Sequence, residues 1–381
     1  MNAFSMVSHT SCNTYFQYTS TLFISVLALA MTDLAGQELG GRNQSDDLIV
    51  NDVKTHQGEL QDSSSIPIHR IVYGSCIKQN QPMPIFREML KKKPDLALLI
   101  GDNIYGDSGD MSVIRSKYQM LRRNSDYARF EGSVPILATW DDHDYGMNDG
   151  GADFLQRHNS QNEFLRFWNV PKQSIRWQRD GVYHSTIYGE AGHRLQVILL
   201  DTRFFRSPLR KGETRRVAGP YVPDQDPAKT MLGDRQWKWL DEQLKVPADV
   251  RLIISSIQCI AEAAGQETWS NMPHERKRLF DLLRSTAANG VILLSGDRHW
   301  SELSVLEKEL DYPLYELTSS SLNQKHPRGT PTENRFRAQA LTYHEENFGL
   351  IDLDWSSSNP KVQLSLVDAQ GNVLLTQNLK F

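Results

Sequence analysis

The side chains best suited to chemistry in this sequence follow short apolar runs. In chain order they are Cys76, Asp102 with Tyr105, Asp142 with His143, Asp201, Gln258, and Asp297 with His299. Thiolate, carboxylate, phenol, amide and imidazole groups are ligands of hard and borderline metal ions, and this set is large enough for two ions. The sequence therefore predicts a metal site with ligands from several separate segments.

Asp102 is the centre of this prediction. It follows the apolar residues 96–100 and Gly101, the pattern of a buried strand that ends by presenting a carboxylate at the edge of a sheet. A carboxylate there can bridge two cations about 3.5–4 Å apart, an arrangement suited to in-line phosphoryl displacement. A nearby histidine such as His143 can protonate the leaving oxygen.

Several of these residues also have a purely structural interpretation. Cys76 suits a buried apolar position, and Gln258 suits an ordinary hydrogen bond. Asp142 and His143 suit a turn or a helix cap, and Asp201 with Arg203 suits a local ion pair. A metal site is favoured because separate strand ends would otherwise have to carry ligand chemistry independently and by accident.

An alternation of strands and helices positions these residues and predicts parallel βαβ units. The predicted strands are 68–73, 96–100, 134–139, 182–188, 195–200, 250–255, 291–294, 304–307, 314–318 and 350–354, with a terminal hairpin turning at 368–372. The predicted helices are 84–92, 112–123, 154–168, 233–244 and 274–288. Residues 204–230 show no regular period and are expected to form a long functional loop.

Composition narrows the class. The 381 residues are 39% hydrophobic and 23% charged, which is typical of a globular protein. The net charge of −4 gives no basic footprint for nucleic acid, and no protein partner is implied. The three cysteines are too few for a disulfide framework, and Cys259 is interpreted as structural.

The N-terminal region reads as a processing segment. We assign residues 1–35 to a signal-like leader, 36–65 to a linker or arm, and 66–381 to one catalytic domain. The apolar residues 22–31 are too few to cross a bilayer, which needs about 20 apolar residues. No Lys or Arg precedes Leu22, so two other interpretations of the apolar segment stay open. It could be an element packed on the folded domain, or a retained membrane tether. The expected location is extracytoplasmic.

Three motifs together carry a family resemblance. Gly-Asp-x-x-Tyr at 101–105, Asp-Asp-His-Asp at 141–144 and Gly-Asp-Arg-His-Trp at 296–300 resemble those of the alkaline phosphatase D (PhoD-like) metallophosphatases. The resemblance runs from Ile68 to the C-terminus, in a short form without the N-terminal β-sandwich domain or twin-arginine signal. It implies an α/β fold, a four-layer α/β/β/α sandwich of the metallophosphatase type, around iron with calcium nearby.

The resemblance also implies roles for individual residues. The implied iron ligands are Cys76, Tyr105 and His299, with Asp102 as the bridge, and the implied second-site ligands are Asp142 and Asp297. His143 matches the position that contacts the phosphate or protonates the leaving group. The candidate substrate contacts are Arg203, a phosphate clamp counted with the catalytic residues, Arg298 and Gln258.

The expected function is metal-dependent hydrolysis of small phosphate monoesters by a metal-activated hydroxide. A phosphodiesterase or phospholipase-type activity on the same centre is the first alternative. A non-catalytic metal or phosphate-binding scaffold is an alternative of another class.

Overall fold

A computed structural model describes residues 65–216, 219–262, 265–325, 333–379 and 381. The predicted leader and all but the last residue of the predicted linker therefore lie outside the described residues, and the domain boundaries stay a prediction. Within the described ranges, every helix is too short or too polar to cross a membrane.

The strands match most of the apolar runs in the sequence. They are β1 (Arg70–Gly74), β2 (Leu96–Ile100), β3 (Ile136–Thr139), β4 (His184–Tyr188), β5 (Leu195–Leu199), β6 (Lys211–Arg216), β7 (Gly219–Tyr221), β8 (Val250–Ile254), β9 (Val291–Ser295), β10 (Glu302–Leu306), β11 (Leu314–Thr318), β12 (Asn347–Asp354), β13 (Lys361–Asp368) and β14 (Val373–Leu379). The helices are α1 (Ile85–Lys91), α2 (Met111–Arg123), α3 (Ser125–Glu131), α4 (Asp142–Tyr145), α5 (Arg157–Phe167), α6 (Gly233–Leu244) and α7 (Pro273–Ser285).

Two six-stranded mixed sheets organise the domain. The first has the order β14-β13-β12-β1-β2-β3, and the second has the order β10-β11-β9-β8-β5-β4. Strands β1, β2 and β3 run parallel, as do β5, β8, β9 and β11. In each sheet the parallel strands therefore bring their carboxyl ends to one edge, where α/β sheets place ligands.

Side chains alternate between two apolar layers along each parallel strand. In β2, Leu96, Leu98 and Ile100 pack into a cluster shared with the second sheet, whereas Ala97 and Leu99 pack against the helices α1, α2, α3 and α5. The second sheet does the same, with α6 and α7 on its outer face. This burial on both faces explains why the strands read as continuous apolar runs, and it confirms the predicted α/β/β/α layers.

Several elements differ from the predictions, among them the short helix α4, which was not predicted. The region expected to lack regular structure contains the ribbon β6–β7, whose Tyr221 is held by a bridge to Gly265, a long-range contact that leaves no local period. Helix α3 was not predicted, and it begins where the Asn124 side chain accepts from the backbone of Asp126 and Tyr127. Helix α5 begins at Arg157, three residues later than expected.

Candidate metal centre

The carboxyl ends of strands from both sheets meet at one place. Thr139 at the end of β3 donates its hydroxyl to the Leu200 carbonyl beyond β5, at 2.8 Å. Ser256, just beyond β8, donates its hydroxyl to Oδ1 of Asp141 beyond β3, at 2.6 Å. These cross-sheet contacts bring the chemistry-bearing residues of both sheets to the same edge.

One group of candidate ligands surrounds a sulfur atom. Cys76 Sγ lies 3.4 Å from Asp102 Oδ2, and the Tyr105 hydroxyl lies 3.5 Å from the same oxygen. The Tyr105 hydroxyl also lies 2.8 Å from His299 Nε2. Ligand atoms of Cys76, Asp102 and His299 lie within 4.8 Å of one another, close enough to hold one ion. We call these four residues the sulfur pole.

A second group shares Asp102 with the first. Ligand atoms of Asp102, Asp142 and His143 lie within 4.8 Å of one another, as do those of Asp141, Asp142 and Asp297. We call Asp141, Asp142 and Asp297 the carboxylate pole. Asp102 belongs to ligand groups that reach both poles, which is the position that a bridging carboxylate requires.

The backbone at these ligands has an unusual conformation. Cys76, Asp102, Asp297 and His299 have φ of 62°, 50°, 65° and 56°, in the left-handed region that non-glycine residues seldom adopt. Such conformations cost of order 1 kcal/mol or more each and cluster at functional sites. Gly101 also has a positive φ, 121°, and a Cβ there would lie 2.7 Å from that of Asp141. Glycine at position 101 thus leaves room for Asp141, which lies just beyond the end of β3.

Burial makes the charged forms of these ligands unfavourable. It raises the pKa of Cys76 to about 12. Burial, followed by repulsion from Cys76 and Asp142, raises the pKa of Asp102 well above its usual value. Burial and then Asp141 do the same to the pKa of Asp297. A bound cation would reverse these shifts, because it stabilises thiolate and carboxylate.

Unpartnered oxygens support a cation at this place. Asp102 Oδ1 and Asp141 Oδ2 are buried and have no hydrogen-bond partner among the described residues. A buried polar atom without a partner is costly unless an ion or water supplies one. Sulfur, phenol and imidazole donors suit a borderline ion at the sulfur pole, whereas carboxylate oxygens suit a hard ion at the carboxylate pole. The donor chemistry therefore fits two different metals.

His143 lies at the open side of the centre and is held by a neighbouring acid. Its Nδ1 lies 2.6 Å from Asp107 Oδ1, with 18% of the histidine and 42% of the aspartate side chain exposed. The ring also packs on Tyr105, with centroids 4.2 Å apart. Burial acts to lower the pKa of His143, but Asp107 and then Asp142 outweigh it and raise the pKa to about 9. The hydrogen bond to Asp107 uses Nδ1 of His143 and does not involve Nε2.

Arg203 lies in a buried ion-pair cluster. Its Nη2 lies 2.5 Å from Asp141 Oδ1 and 2.7 Å from Glu267 Oε2, while Arg206 Nη2 lies 2.8 Å from Glu267 Oε1. We call Arg203, Arg206 and Glu267 the arginine cluster. All three are almost fully buried. The Arg203 guanidinium is fully buried and already paired with these carboxylates, so its assignment as a phosphate clamp stays a prediction.

The other two predicted substrate contacts are also buried. Gln258 donates its Nε2 to Glu302 Oε1 at 2.8 Å and to Thr318 Oγ1 at 2.9 Å. The Arg298 guanidinium packs 4.3 Å from the Trp300 ring centroid, and burial lowers its pKa to about 10. Their contact with substrate stays a prediction. Asp201 accepts from Trp140 Nε1 and from backbone amides, a structural role.

Sequence reasoning assigned no role to two residues that the structure places at the centre. Asp141 contributes a ligand atom to the carboxylate pole, and Asp107 holds His143. Asp141 stands inside the motif 141–144 and Asp107 lies two residues beyond the motif 101–105, so both could have been identified from the excess of acids there. A third residue, Ser320, contacts Cys76 from a distant segment, and no pattern in the sequence indicates that contact.

A cavity at the opposite end of the first sheet has a different character. Its volume is about 800 Å³, and its lining includes His69, Arg70, Asp95 and Asp352. Arg70 Nε lies 2.6 Å from Asp352 Oδ1, and Asp95 accepts from the amides of His69 and Arg70. These charges are already paired with groups of the chain, so we assign no chemistry to this cavity.

Solved structures share the fold. A structure of PhoD aligns with a TM-score of 0.60 at 17% identity, covering 83% of this chain and 73% of that chain. The anchor GAP50 of the Plasmodium inner membrane complex aligns with a TM-score of 0.52 at 12% identity, covering 83% and 89%. A dimetal phosphatase from Danio rerio aligns with a TM-score of 0.50 at 10% identity, covering 83% and 99%. These likenesses confirm the metallophosphatase-type fold.

Sequence comparison identifies the family. Alkaline phosphatase D of Bacillus subtilis (strain 168) is 21% identical over 299 residues, which are 68% of this chain and 50% of that protein. The chain thus spans about half the length of this relative. The sequence profile of PhoD-like phosphatases matches residues 71–364, which include every candidate ligand of both poles. The chain therefore belongs to the PhoD-like phosphatase family.

Proposed function

We propose that this chain is a metal-dependent phosphatase that hydrolyses phosphate monoesters. The position of Asp102 carries the proposal. It contributes to ligand groups at both poles, and its Oδ1 is buried without a hydrogen-bond partner among the described residues. Two cations bridged by one carboxylate are suited to phosphoryl transfer, because they contact both the attacking and the leaving oxygen.

The two poles would hold different ions. Cys76, Tyr105 and His299 would hold iron, with Asp102 as the bridge, because thiolate, phenolate and imidazole are ligands of borderline ions. Asp142, Asp297 and Asp141 would hold calcium, which prefers carboxylate oxygens. When bound, the cations supply neutralisation of the phosphate charge and acidification of water.

The chain itself supplies orientation and a proton. His143 keeps its Nδ1 on Asp107, so its Nε2 is the atom that can donate to a phosphate oxygen or to the leaving oxygen. The ring is fixed on its other side by Tyr105. Because His143 is partly exposed while Asp102 is almost fully buried, the ester enters from the side of the histidine.

The ribbon β6–β7 favours a monoester. The Tyr221 hydroxyl at its end donates to Asp149 Oδ2 at 2.6 Å, and an oxygen of Asp149 lies within 4.8 Å of Asp142. The anchor of the ribbon therefore lies beside the carboxylate pole, and this position supports a monoester over an ester with a second substituent on phosphorus. A phosphodiesterase or phospholipase-type activity requires that space and is the alternative.

The test is a pair of hydrolysis rates, for an aryl phosphate monoester and the matching diester, on metal-replete protein. Asp102→Asn is the blank. Asp352→Asn is the matched control, because Asp352 lies on the same sheet at the opposite end. A monoester preference that disappears in Asp102→Asn alone supports the proposal. A diester preference would favour the alternative.

A non-catalytic scaffold is the candidate from another class. GAP50, which shares the fold at 12% identity, is described as an anchor, so the fold by itself does not decide between catalysis and binding. The protein would be a scaffold if neither ester turned over above the Asp102→Asn blank across pH and added metals. The ligand groups at both poles favour catalysis.

We further propose that the protein acts outside the cytoplasm. The proposal rests on the apolar residues 22–31, which are shorter than a membrane span and are followed by small residues. The intact mass of protein recovered from the secreted fraction tests it. Absence of the residues before about Ala30 would support export with cleavage, and full-length protein confined to the cytoplasm would contradict it.

A further inference from the structure

A short segment next to the sulfur pole links the two sheets. Residues 319–323, which we call the strap, follow β11 of the second sheet. The Ser319 amide donates to the Ser295 carbonyl of β9 at 3.0 Å, and the Leu322 amide donates to the Ser75 carbonyl beyond β1 at 2.9 Å. The strap is thus hydrogen-bonded to the segments that carry Cys76 and His299.

One strap side chain contacts both of these candidate ligands. Ser320 Oγ lies 3.1 Å from Cys76 Sγ and accepts the backbone N–H of His299 at 2.8 Å. Ser320 is fully buried, so water does not compete for its hydroxyl. A single hydroxyl therefore joins a ligand from the first sheet to a ligand from the second.

The direction of the sulfur contact follows from the chemistry. The His299 amide is always the donor in its bond, and a metal-bound cysteine has no proton. The Ser320 hydroxyl must then donate to the sulfur. The Ser75 hydroxyl lies farther from this sulfur, at 3.4 Å, and Asp102 Oδ2, also at 3.4 Å, has no proton to donate when it is a metal-bound carboxylate. The Ser320 hydroxyl, at 3.1 Å, is therefore the better placed of the two serine hydroxyls to stabilise a negative charge on the sulfur.

We propose that Ser320 is a positioning residue of the metal centre, which stabilises Cys76 as a thiolate ligand and fixes His299 toward the same ion. This inference rests on the proposed metal centre and deepens it. Hydrogen bonds from outer residues orient metal ligands and tune the metal, and their loss typically costs about 10- to 100-fold in metal affinity. The hydroxyl also withdraws electron density from the sulfur.

The test uses Co²⁺ as a spectroscopic probe in place of the native metals. Apo protein is titrated with Co²⁺ against a competing chelator, and the thiolate-to-cobalt charge-transfer band is recorded. Ser320→Ala is expected to weaken Co²⁺ binding about 10- to 100-fold and to shift the band to lower energy, because the sulfur becomes more electron-rich. Ser320→Thr, which keeps the hydroxyl, is expected to retain the wild-type Co²⁺ affinity and the wild-type band energy.

Ser319→Ala is the matched control. Ser319 is a neighbouring buried serine of the strap, and its hydroxyl bonds Asn347 Oδ1 at 3.1 Å. Its variant should keep the wild-type band and affinity. An unchanged band in Ser320→Ala, or an equal change in Ser319→Ala, would overturn the role of Ser320. Absence of any thiolate band in the wild type would instead overturn the metal centre itself and, with it, the proposed function.

A measurement on the wild type covers the case in which the variants do not fold. Co²⁺-loaded protein is prepared in H₂O and in D₂O, and the metal–sulfur stretching frequency is read by resonance Raman spectroscopy. A hydrogen-bonded thiolate shifts this frequency on deuteration. The proposal expects a shift, and identical frequencies in the two solvents would overturn it.

Discussion

The metal centre and the arginine cluster are neighbouring groups of buried charged residues, and they differ in how the negative charge of their carboxylates is balanced. In the arginine cluster, both oxygens of Glu267 face guanidinium groups, at 2.7 and 2.8 Å. In the metal centre, Asp102 faces a thiol, a phenol and further acids, and its pKa is raised by burial and then by repulsion from Cys76 and Asp142. Asp141 joins the two regions, because its Oδ1 bonds Arg203 while its Oδ2 has no hydrogen-bond partner among the described residues.

This difference in charge balance distinguishes a structural region from a candidate binding site. A buried carboxylate that is paired within the chain needs no ligand, and its loss leaves an uncompensated partner. A buried carboxylate surrounded by other acids is unfavourable until a cation arrives. The arginine cluster therefore fixes the loops around the centre, and the two poles hold the charge that a metal would neutralise.

Exchanging the uncompensated acid is expected to have the largest effect. Asp102→Asn should lower kcat/KM by about 1000-fold, because one ligand shared by both poles loses its charge. The free energy of unfolding of the metal-free protein should stay the same or rise, because the neutral amide removes the cost of burying an acid whose pKa burial raises well above its usual value. Ester hydrolysis and urea denaturation measure the two effects. A strongly destabilised apo variant would contradict the comparison.

Breaking the compensated pair is expected to have the opposite signature. Glu267→Ala should lower the free energy of unfolding of the metal-free protein by about 3 kcal/mol, because two buried guanidinium groups lose their shared partner. Glu262→Ala is the matched control. Glu262 is 36% exposed and also pairs with two arginines, so its loss should cost about 0.5 kcal/mol. If urea denaturation gave equal losses of unfolding free energy for the two variants, the distinction between the buried and the exposed acid would be wrong.

Removing the metal should destabilise the native protein only through the poles. Metal present at 100 times its Kd contributes about 2.7 kcal/mol, so a chelator should lower the Tm by about 5 °C. The same chelator should leave the Tm of Asp102→Asn nearly unchanged. Differential scanning calorimetry tests this, and an equal decrease in both proteins would place the stabilising ion elsewhere.

Asp107 lies at the exposed mouth of the centre, so its effect should depend on the substrate. Asp107→Asn should slow hydrolysis of an alkyl phosphate about 10- to 100-fold, because protonation of a poor leaving group requires an oriented His143. A nitrophenyl ester, which leaves without a proton, should be nearly unaffected. Steady-state rates with both esters test this prediction. Equal losses would indicate that Asp107 acts only through the structure.

Glu163, a buried acid compensated by two exposed arginines, should have the smallest effect. Burial opposes ionisation of Glu163, but Arg115 and Arg166 outweigh it and lower its pKa. The group therefore contributes stability above its unfolded pKa of about 4.3, and this contribution is lost as the pH falls through the lower folded value. Both arginines are 53% exposed, so the contribution is about 1 kcal/mol.

Urea denaturation of wild type and Glu163→Gln at several pH values measures that contribution. The two proteins should differ at pH 7 and converge as the pH falls below the folded pKa. A difference that persists unchanged in strong acid would show that the glutamine alters packing rather than charge.

Much of the fold was predictable from local patterns. The bounds predicted for β2 are confirmed at Leu96–Ile100, because a strand buried on both faces leaves an uninterrupted apolar run. The ribbon β6–β7 was not predictable, since its Tyr221 is held by Gly265 and its hydroxyl by Asp149. Those contacts join residues far apart in sequence and leave no period within the ribbon.

For the candidate site, sequence and tertiary structure contribute different parts. The sequence by itself determined the family motifs, the ligand types at 102, 142, 297 and 299, and the strand that ends before each group, because backbone pattern and side-chain chemistry are local properties. Only the tertiary structure decided that Asp141 lies with Asp142 and Asp297 in the carboxylate pole, that Arg203 faces Glu267, and that Ser320 contacts Cys76. Charge compensation is a property of distance in space, and the sequence order does not specify that distance.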